Sequence, residues 1–296
     1  MAMLTILTAT YNRADCLSAC WNSLREQTCG EFQWLIIDDG STDQTREVVQ
    51  SFRDAAPEMN IEYHYKENGG KHTALNAAHP HIKGEYVVTL DSDDTLTPNA
   101  VEQILSAWER YKTDSTVGRV IFLKGFSEDK PICYVKNENI VLDTLTEPRI
   151  CISGRDCCDT FRTELFVKYP FPVFPGERFI GEGAAFLHME LESMGVYVNQ
   201  VIYLCDYRTD GLTKAGRKMR LQNPRGGMYN SLLYMNRRLP MKTRVKKAIL
   251  YACYCRFAGV SLKQALADHE YKALTMLAWL PGTGLAAYWK RRYFND

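Results

Sequence analysis

Glu85-Tyr86-Val87-Val88-Thr89-Leu90-Asp91-Ser92-Asp93-Asp94 is the stretch that decides the fold. Its first six residues are apolar and β-branched enough for a short buried strand. The strand runs straight into three carboxylates. Aspartate is favoured in turns on local grounds, because its side chain bonds nearby backbone. Here, however, the acids cap a buried strand and precede a helix. Thr97 reads as the helix cap, Pro98 as its first position, and Val101, Ile104, Leu105 and Trp108 as its apolar face.

The same unit repeats on the upstream side. Leu4 to Thr10 reads as a buried first strand, followed by the turn Tyr11-Asn12-Arg13 and a helical stripe of Leu17, Cys20, Trp21 and Leu24. Phe32 to Ile37 is a second strand ending in Asp38-Asp39-Gly40-Ser41-Thr42-Asp43, with Thr42 or Asp43 capping the helix that follows. Ile61, Tyr63 and Tyr65 alternate as a third strand. Asn68-Gly69-Gly70-Lys71 then breaks into a short helix, and Val117 to Leu123 is a further strand. Alternating strands and helices predict an α/β fold with a mostly parallel, Rossmann-like sheet and right-handed crossovers. Ligands of such sheets bind beyond the strand C-termini. Tyr11-Asn12, Asp38-Asp39 and Asp91 to Asp94 all fall at those ends.

The second half is less regular. Residues 130–175 are rich in proline and read as loop, Glu182 to Met194 as a helix, and Val196 to Tyr203 as a strand. From about Arg217 the pattern is helical to the end. The net charge of +1 gives no reason to propose nucleic acid as partner. Ten cysteines show no CxxC pair and no zinc-like spacing, which fits reduced thiols in a cytoplasmic protein. No apolar run reaches the length of a membrane span, and the first residues lack the basic flank of a signal peptide.

Chemistry is concentrated at the strand ends. Carboxylates at Asp91 and Asp93, with Ser92 between them, suit a ribose and a hard divalent ion such as Mn²⁺ or Mg²⁺. Such an ion neutralises a departing diphosphate. A carboxylate in Asp38-Asp39 can accept from a uracil N–H or a ribose hydroxyl, and Gly40 lets the backbone turn beside a ligand. A helix cap with a turn glycine accounts for Thr42 or Asp43 but not for the two acids before them. Asn68-Gly69-Gly70 and Lys71 suit either phosphate or a plain turn.

Thr10-Tyr11-Asn12-Arg13, Asp38-Asp39-Gly40-Ser41-Thr42-Asp43, Asn68-Gly69-Gly70 through Asn76, and Asp91-Ser92-Asp93-Asp94 occur in this order and spacing. Together they resemble the GT-A-fold family 2 glycosyltransferases of bacterial polysaccharide and cell-surface glycan type. The resemblance covers about residues 1–125 strongly and 125–215 weakly. It implies a GT-A domain over about residues 1–215 (nucleotide-binding to about 125, acceptor-binding beyond) and a helical extension over 216–296. It also implies an inverting, metal-dependent transfer from a nucleoside diphosphate sugar, most commonly a UDP-sugar, to a glycan or lipid-linked acceptor. By position, Thr10, Tyr11, Asp39, Lys71, Asn76, Asp91 and Ser92 would serve the nucleotide, with Tyr11 near the base and Asp39 on uracil. Asp93, with Asp91, would hold the metal.

Inversion needs a carboxylate that takes the acceptor's proton. The family supplies it from a Glu-Asp pair at a helix start, and the matching stretch here is Phe179-Ile180-Gly181-Glu182-Gly183. Glu182 is therefore the candidate base, with Glu177 as the alternative, and Gly183 stands where the family has its aspartate. Arg208, in Tyr207-Arg208-Thr209-Asp210-Gly211, resembles a family residue that closes over the diphosphate. The C-terminal run Trp289 to Phe294 mixes aromatic and basic side chains. It suits either a packed helix with a charged end or peripheral contact with the inner face of a membrane. Two other classes compete. A sugar nucleotidyltransferase would carry a glycine-rich loop after the first strand, and Thr8 to Arg13 contains no glycine. A non-catalytic nucleotide-sugar binder is kept open by Gly183.

Overall fold

The computed structural model describes residues 4–134, 141–142, 156–205, 212–267 and 269–294. The strands are β1 (Leu4–Thr10), β2 (Phe32–Asp38), β3 (Ile61–Tyr65), β4 (Tyr86–Thr89), β5 (Thr95–Leu96), β6 (Val117–Ser127), β7 (Lys130–Pro131), β8 (Val141–Leu142), β9 (Cys157–Arg162) and β10 (Met194–Leu204). The helices are α1 (Leu17–Arg25), α2 (Thr45–Ala55), α3 (Lys71–Ala78), α4 (Ala100–Tyr111), α5 (Thr163–Lys168), α6 (Gly183–Glu192), α7 (Leu212–Gln222), α8 (Pro224–Leu233), α9 (Met241–Phe257), α10 (Leu262–Ala267) and α11 (Lys272–Phe294).

One sheet runs in the order β3-β2-β1-β4-β9-β6-β10-β5. The first four strands are parallel, with Leu4 to Thr10 in register with Phe32 to Asp38. β1, β2 and β4 are buried on both faces and read as continuous apolar runs, whereas the edge strand β3 is half-buried and reads as an alternation. Leu17, Cys20 and Leu24 of α1, Val49 and Phe52 of α2, and Val101, Ile104 and Trp108 of α4 pack into a core around Trp34. Each fully buried aliphatic side chain contributes about 1.5–3 kcal/mol relative to exposure. The two indoles also satisfy their N–H groups, Trp34 to Thr8 Oγ1 and Trp108 to Thr160 Oγ1.

Several details differ from the sequence reading, among them α5, which lies inside the stretch read as loop, and α2, which begins at Thr45 with Gln44 at its N-cap rather than Thr42 or Asp43. The strand β9 lies inside the proline-rich stretch read as loop, and it enters antiparallel between β4 and β6. Its pattern was hidden because its fully buried centre, Thr160, is polar and bonds both Trp108 and the carbonyl of Val120. The helix α4 starts at Ala100 rather than at Pro98. Thr95–Leu96 first pairs with β10, and the Thr97 amide donates to the Ile202 carbonyl, so the chain stays extended past the acidic turn.

The chain divides into two compact units, Met1–Pro170 with Met189–Tyr207, and Phe171–His188 with Arg208–Asp296. The first holds the sheet. The second is helical, with one core built on Met235, Ala248, Tyr251, Cys255, Ala265 and Ala278 and another on Leu221, Cys253, Tyr254, Ala286 and Trp289. Trp289 therefore packs inward under the Arg217 guanidinium, while Lys290, Arg291 and Arg292 are exposed. Among the described residues no helix is long and apolar enough to cross a membrane.

Candidate active site

The sheet reverses its strand order at β1, with β2 and β3 on one side and β4 on the other. A crevice is expected beyond the C-termini of the strands at that point. The loops after β1 and β2 are stitched together there. The amide of Asn12 donates to Ser41 Oγ, that of Thr42 donates to Asn12 Oδ1, and that of Ala14 donates to Asp43 Oδ2. Asn12 takes a left-handed φ of 50° to make this exchange, a conformation asparagine tolerates better than most residues. The Tyr11 ring is left 45% exposed at the strand tip. Thr10 is buried, and its Oγ1 has no hydrogen-bond partner among the described residues.

Asp38 and Asp39 are both buried. Asp38 accepts from the Ser41 amide and the Tyr63 hydroxyl. Asp39 organises the loop that follows β3. Its Oδ1 accepts from Lys66 Nζ at 2.6 Å and the Gly69 amide at 3.0 Å, and its Oδ2 accepts from the Gly70 amide at 2.7 Å and Asn68 Nδ2 at 3.2 Å. The loop comes so close that a β-carbon on Gly40 would sit 2.7 Å from the Asn68 nitrogen, and Gly40 itself has φ of 88°. Only glycine meets both demands.

That loop delivers Lys71 to the acidic turn. Lys71 Nζ lies 2.6 Å from Asp91 Oδ1. The run Asp39, Gly70, Lys71, Asp91 thus places the acids of β2 and β4 at one end of the sheet. The Asp94 amide donates to the Asp91 carbonyl, closing a β-turn. Burial works against ionisation of Asp91, but Lys71 and Lys124 outweigh it and hold its pKa below the usual carboxylate value. Asp94 goes the other way. Burial, reinforced by repulsion from Asp91 and Asp93, pushes its pKa up to about 7 despite a bond from Tyr203. Asp93 makes no hydrogen bond or ion pair among the described residues. Three carboxylates in one turn, with Asp93 unpartnered among the described residues, are the oxygen-rich chemistry that suits a hard divalent ion. Ser92 is buried within the turn, and Asn76 lies half-buried midway along α3. Arg208 lies outside the described residues.

Sequence reasoning missed Tyr203 and Lys124. The buried Tyr203 hydroxyl donates to Asp94 Oδ2 at 2.7 Å and accepts from the Asp91 amide at 3.0 Å, so it bridges both ends of the turn. Lys124 Nζ sits 4.3 Å from the centre of its ring. Lys124 comes from β6 and Tyr203 from β10, and nothing in their spacing announces a site. Tyr203→Phe is expected to cost about 1–3 kcal/mol by leaving Asp94 and the Asp91 amide unpaired. Thermal unfolding checks this, and an unchanged midpoint would refute the bridging role.

The second unit carries Glu182 at the start of α6, exposed. Glu177 is engaged elsewhere, with its carboxylate accepting from the amides of Arg225 and Gly226 at the start of α8. Gly183 is tightly surrounded, for a β-carbon there would meet the Tyr234 hydroxyl at 2.9 Å and Asn230 Oδ1 at 3.3 Å. The space that a longer side chain would need at this position is taken by Tyr234.

The fold resembles that of solved GT-A glycosyltransferases. S. aureus TarS aligns with a TM-score of 0.62 at 16% identity, over 96% of this chain and 48% of that one. The mannosyltransferase PcManGT from Pyrobaculum calidifontis aligns at 0.59 and 17% identity, over 99% and 88%. The mixed sheet, parallel from β3 to β4 and flanked by helices, with a helical C-terminal part, is thus a GT-A fold. The profile described as glycosyl transferase family 2 matches residues 5–166. The chain belongs to that family. Chondroitin synthase of Pasteurella multocida is 39% identical over 111 residues, which is 38% of this chain and 11% of that protein. The chain therefore spans only about a tenth of that relative's length and about half of TarS.

Proposed function

We propose that this protein is an inverting glycosyltransferase that moves a sugar from a nucleoside diphosphate sugar, a UDP-sugar first, to a glycan or lipid-linked acceptor. The observation that carries the reading is the linked set at the sheet's C-terminal end, in which Asp39 holds the loop that aims Lys71 at Asp91. In this reading the exposed Tyr11 ring offers a stacking surface for the base, and the unpartnered Thr10 hydroxyl awaits a polar group of the nucleoside. Asp91 and Ser92 serve ribose or sugar, Lys71 and Arg208 the phosphates, and Asn76 the nucleotide.

Asp93, with Asp91, would hold a Mn²⁺ or Mg²⁺ ion. When bound, that ion supplies the positive charge that stabilises the departing diphosphate. Glu182 takes the proton from the acceptor hydroxyl as its oxygen bonds to the anomeric carbon and the bond to the diphosphate breaks. Glu177 is set aside for this role because it caps α8. The nucleotide part is assigned to about residues 1–125, the acceptor part to about 126–215, and the extension to 216–296. The extension's last helix bears exposed Leu277, Leu280 and Tyr288 beside Arg291 and Arg292, which suits the surface of an anionic membrane on the cytoplasmic side.

Support for the donor class is indirect. TarS is known in complex with UDP-GlcNAc, and PcManGT with GDP-Man and Mn²⁺. Thermal shift across nucleotide sugars, each with and without Mn²⁺, tests the reading, since a ligand of the native state raises the midpoint by mass action. A UDP-sugar plus Mn²⁺ is expected to raise it more than either alone. Repeating the screen with anionic vesicles tests the C-terminal helix. A screen in which no nucleotide sugar stabilises the protein with metal would defeat the proposal.

A further inference from the structure

A second cluster of metal-ligating side chains lies on the far edge of the sheet, among residues that the transfer reaction does not use. Glu62 and His64 sit two apart on β3, so their side chains share one face. The turn after α3 brings His81 to the same spot. Glu62 Oε1 is 2.8 Å from His64 Nε2 and 3.7 Å from His81 Nδ1, and one ligand atom from each of the three lies within 4.8 Å of the others. The two imidazoles are stacked, with centroids 3.6 Å apart.

The arrangement is buttressed from behind. Gln33, fully buried on β2, donates from Nε2 to Glu62 Oε2 and to the carbonyl of His81, both at 2.9 Å. Its Oε1 accepts from Thr5 Oγ1 and from the Lys83 amide. One buried amide thus fixes both the carboxylate and the turn that carries His81. It also occupies the carboxylate oxygen that faces away from the histidines. Outer contacts of this kind orient the ligands of real metal sites. Lys83 Nζ shares that outer oxygen at 2.5 Å. The side chains of His64 and His81 are each 34% exposed, so an ion can enter from solvent.

We propose that Glu62, His64 and His81 form a binding site for Zn²⁺ or a similar borderline divalent ion, with water completing the coordination. Two considerations decide for an ion of this class. A carboxylate and two imidazoles within reach of one another supply three donors to one cation, the imidazole lone pairs lying in the planes of the stacked rings. Imidazole with carboxylate suits zinc, whereas Mg²⁺ and Mn²⁺ prefer all-oxygen sets such as the acidic turn. Metal–ligand bonds of about 2.0–2.2 Å put tetrahedral ligand atoms about 3.3–3.5 Å apart, and the two observed spacings bracket that range. A bound ion would tie the edge strand β3 to the turn at the C-terminal end of α3, whose N-terminal end carries Lys71.

Zn²⁺ titration of the full chain against a chromophoric chelator tests this, with Co²⁺ as a spectroscopic stand-in. One equivalent of Zn²⁺ is expected to bind. His64→Ala and His81→Ala should each weaken it at least about tenfold and remove the visible Co²⁺ bands of a tetrahedral site. Lys83→Gln removes the competing cation and should tighten binding. Asp93→Asn should leave Zn²⁺ affinity as it was, which separates this site from the acidic turn. Circular dichroism confirms that each variant is folded. Absence of Zn²⁺ binding in the unsubstituted protein, or binding that both histidine variants retain in full, overturns the proposal.

Discussion

Asp93→Ala is expected to reduce sugar transfer at least about a hundredfold while leaving the thermal midpoint nearly unchanged. The two halves of this result have separate physical causes. Asp93 makes no hydrogen bond or ion pair among the described residues, so its removal breaks nothing that holds the fold. Surface substitutions away from structural bonds stay within about 0.5 kcal/mol. The variant also relieves the repulsion that helps to push the neighbouring Asp94 up to about 7, which works toward stability. A carboxylate that contributes nothing to the fold and sits in an acidic turn is available to a cation. Losing one preorganised electrostatic contact to developing charge costs a factor of about 10²–10³. Initial rates with saturating Mn²⁺ and donor, set beside thermal unfolding, provide both readouts. Transfer retained at near the original rate, with the variant folded, removes Asp93 from the mechanism.

The first half of the fold was legible because its physics is local. Buried strands show as apolar runs, the half-buried edge strand β3 as an alternation, and the helices as stripes, so β1 to β4 and α1 to α4 emerge with boundaries shifted by a few residues at most. The shift at α4 has a tertiary cause, the pairing of Thr95–Leu96 with β10. The acids were legible for a related reason, since strand ends in such sheets point at the site. Which partner each acid takes was not legible. Asp39 binds Lys66, Gly69 and Gly70, about thirty residues away, and the Asp94–Tyr203 bond spans 109 residues. Contacts of that range leave no periodic trace. The strand β9 escaped because a polar residue at its buried centre looks like loop until its bonds to Trp108 and Val120 are known. Gly183, by contrast, was visible as a departure from the family pattern, and the packing of Tyr234 against it gives that departure a steric reason.

Asp39→Ala should be the most destabilising single change at the site, through the loop rather than through the ligand. In the intact protein the buried carboxylate neutralises Lys66 at 2.6 Å and accepts the amides of Gly69 and Gly70. Alanine leaves the ammonium without its counter-charge, with only the Glu67 carbonyl and Thr73 Oγ1 left to it, and two amides without that acceptor. Removing one member of a buried ion pair costs about 3–5 kcal/mol. For a unit of this size that lowers the thermal midpoint on the order of 10 °C. Asp39→Asn separates charge from shape. It keeps an oxygen for the Lys66 side of the carboxylate but turns an NH₂ toward the Gly70 amide, setting donor against donor, so an intermediate loss is expected. The released loop also carries Lys71, whose 2.6 Å contact with Asp91 depends on where Gly70 is held. Affinity for a nucleotide sugar should therefore fall in step with stability across the two variants. If Asp39→Asn instead kept the full thermal midpoint and lost only the nucleotide, the carboxylate would be acting on the base directly, and its hold on the loop would be incidental.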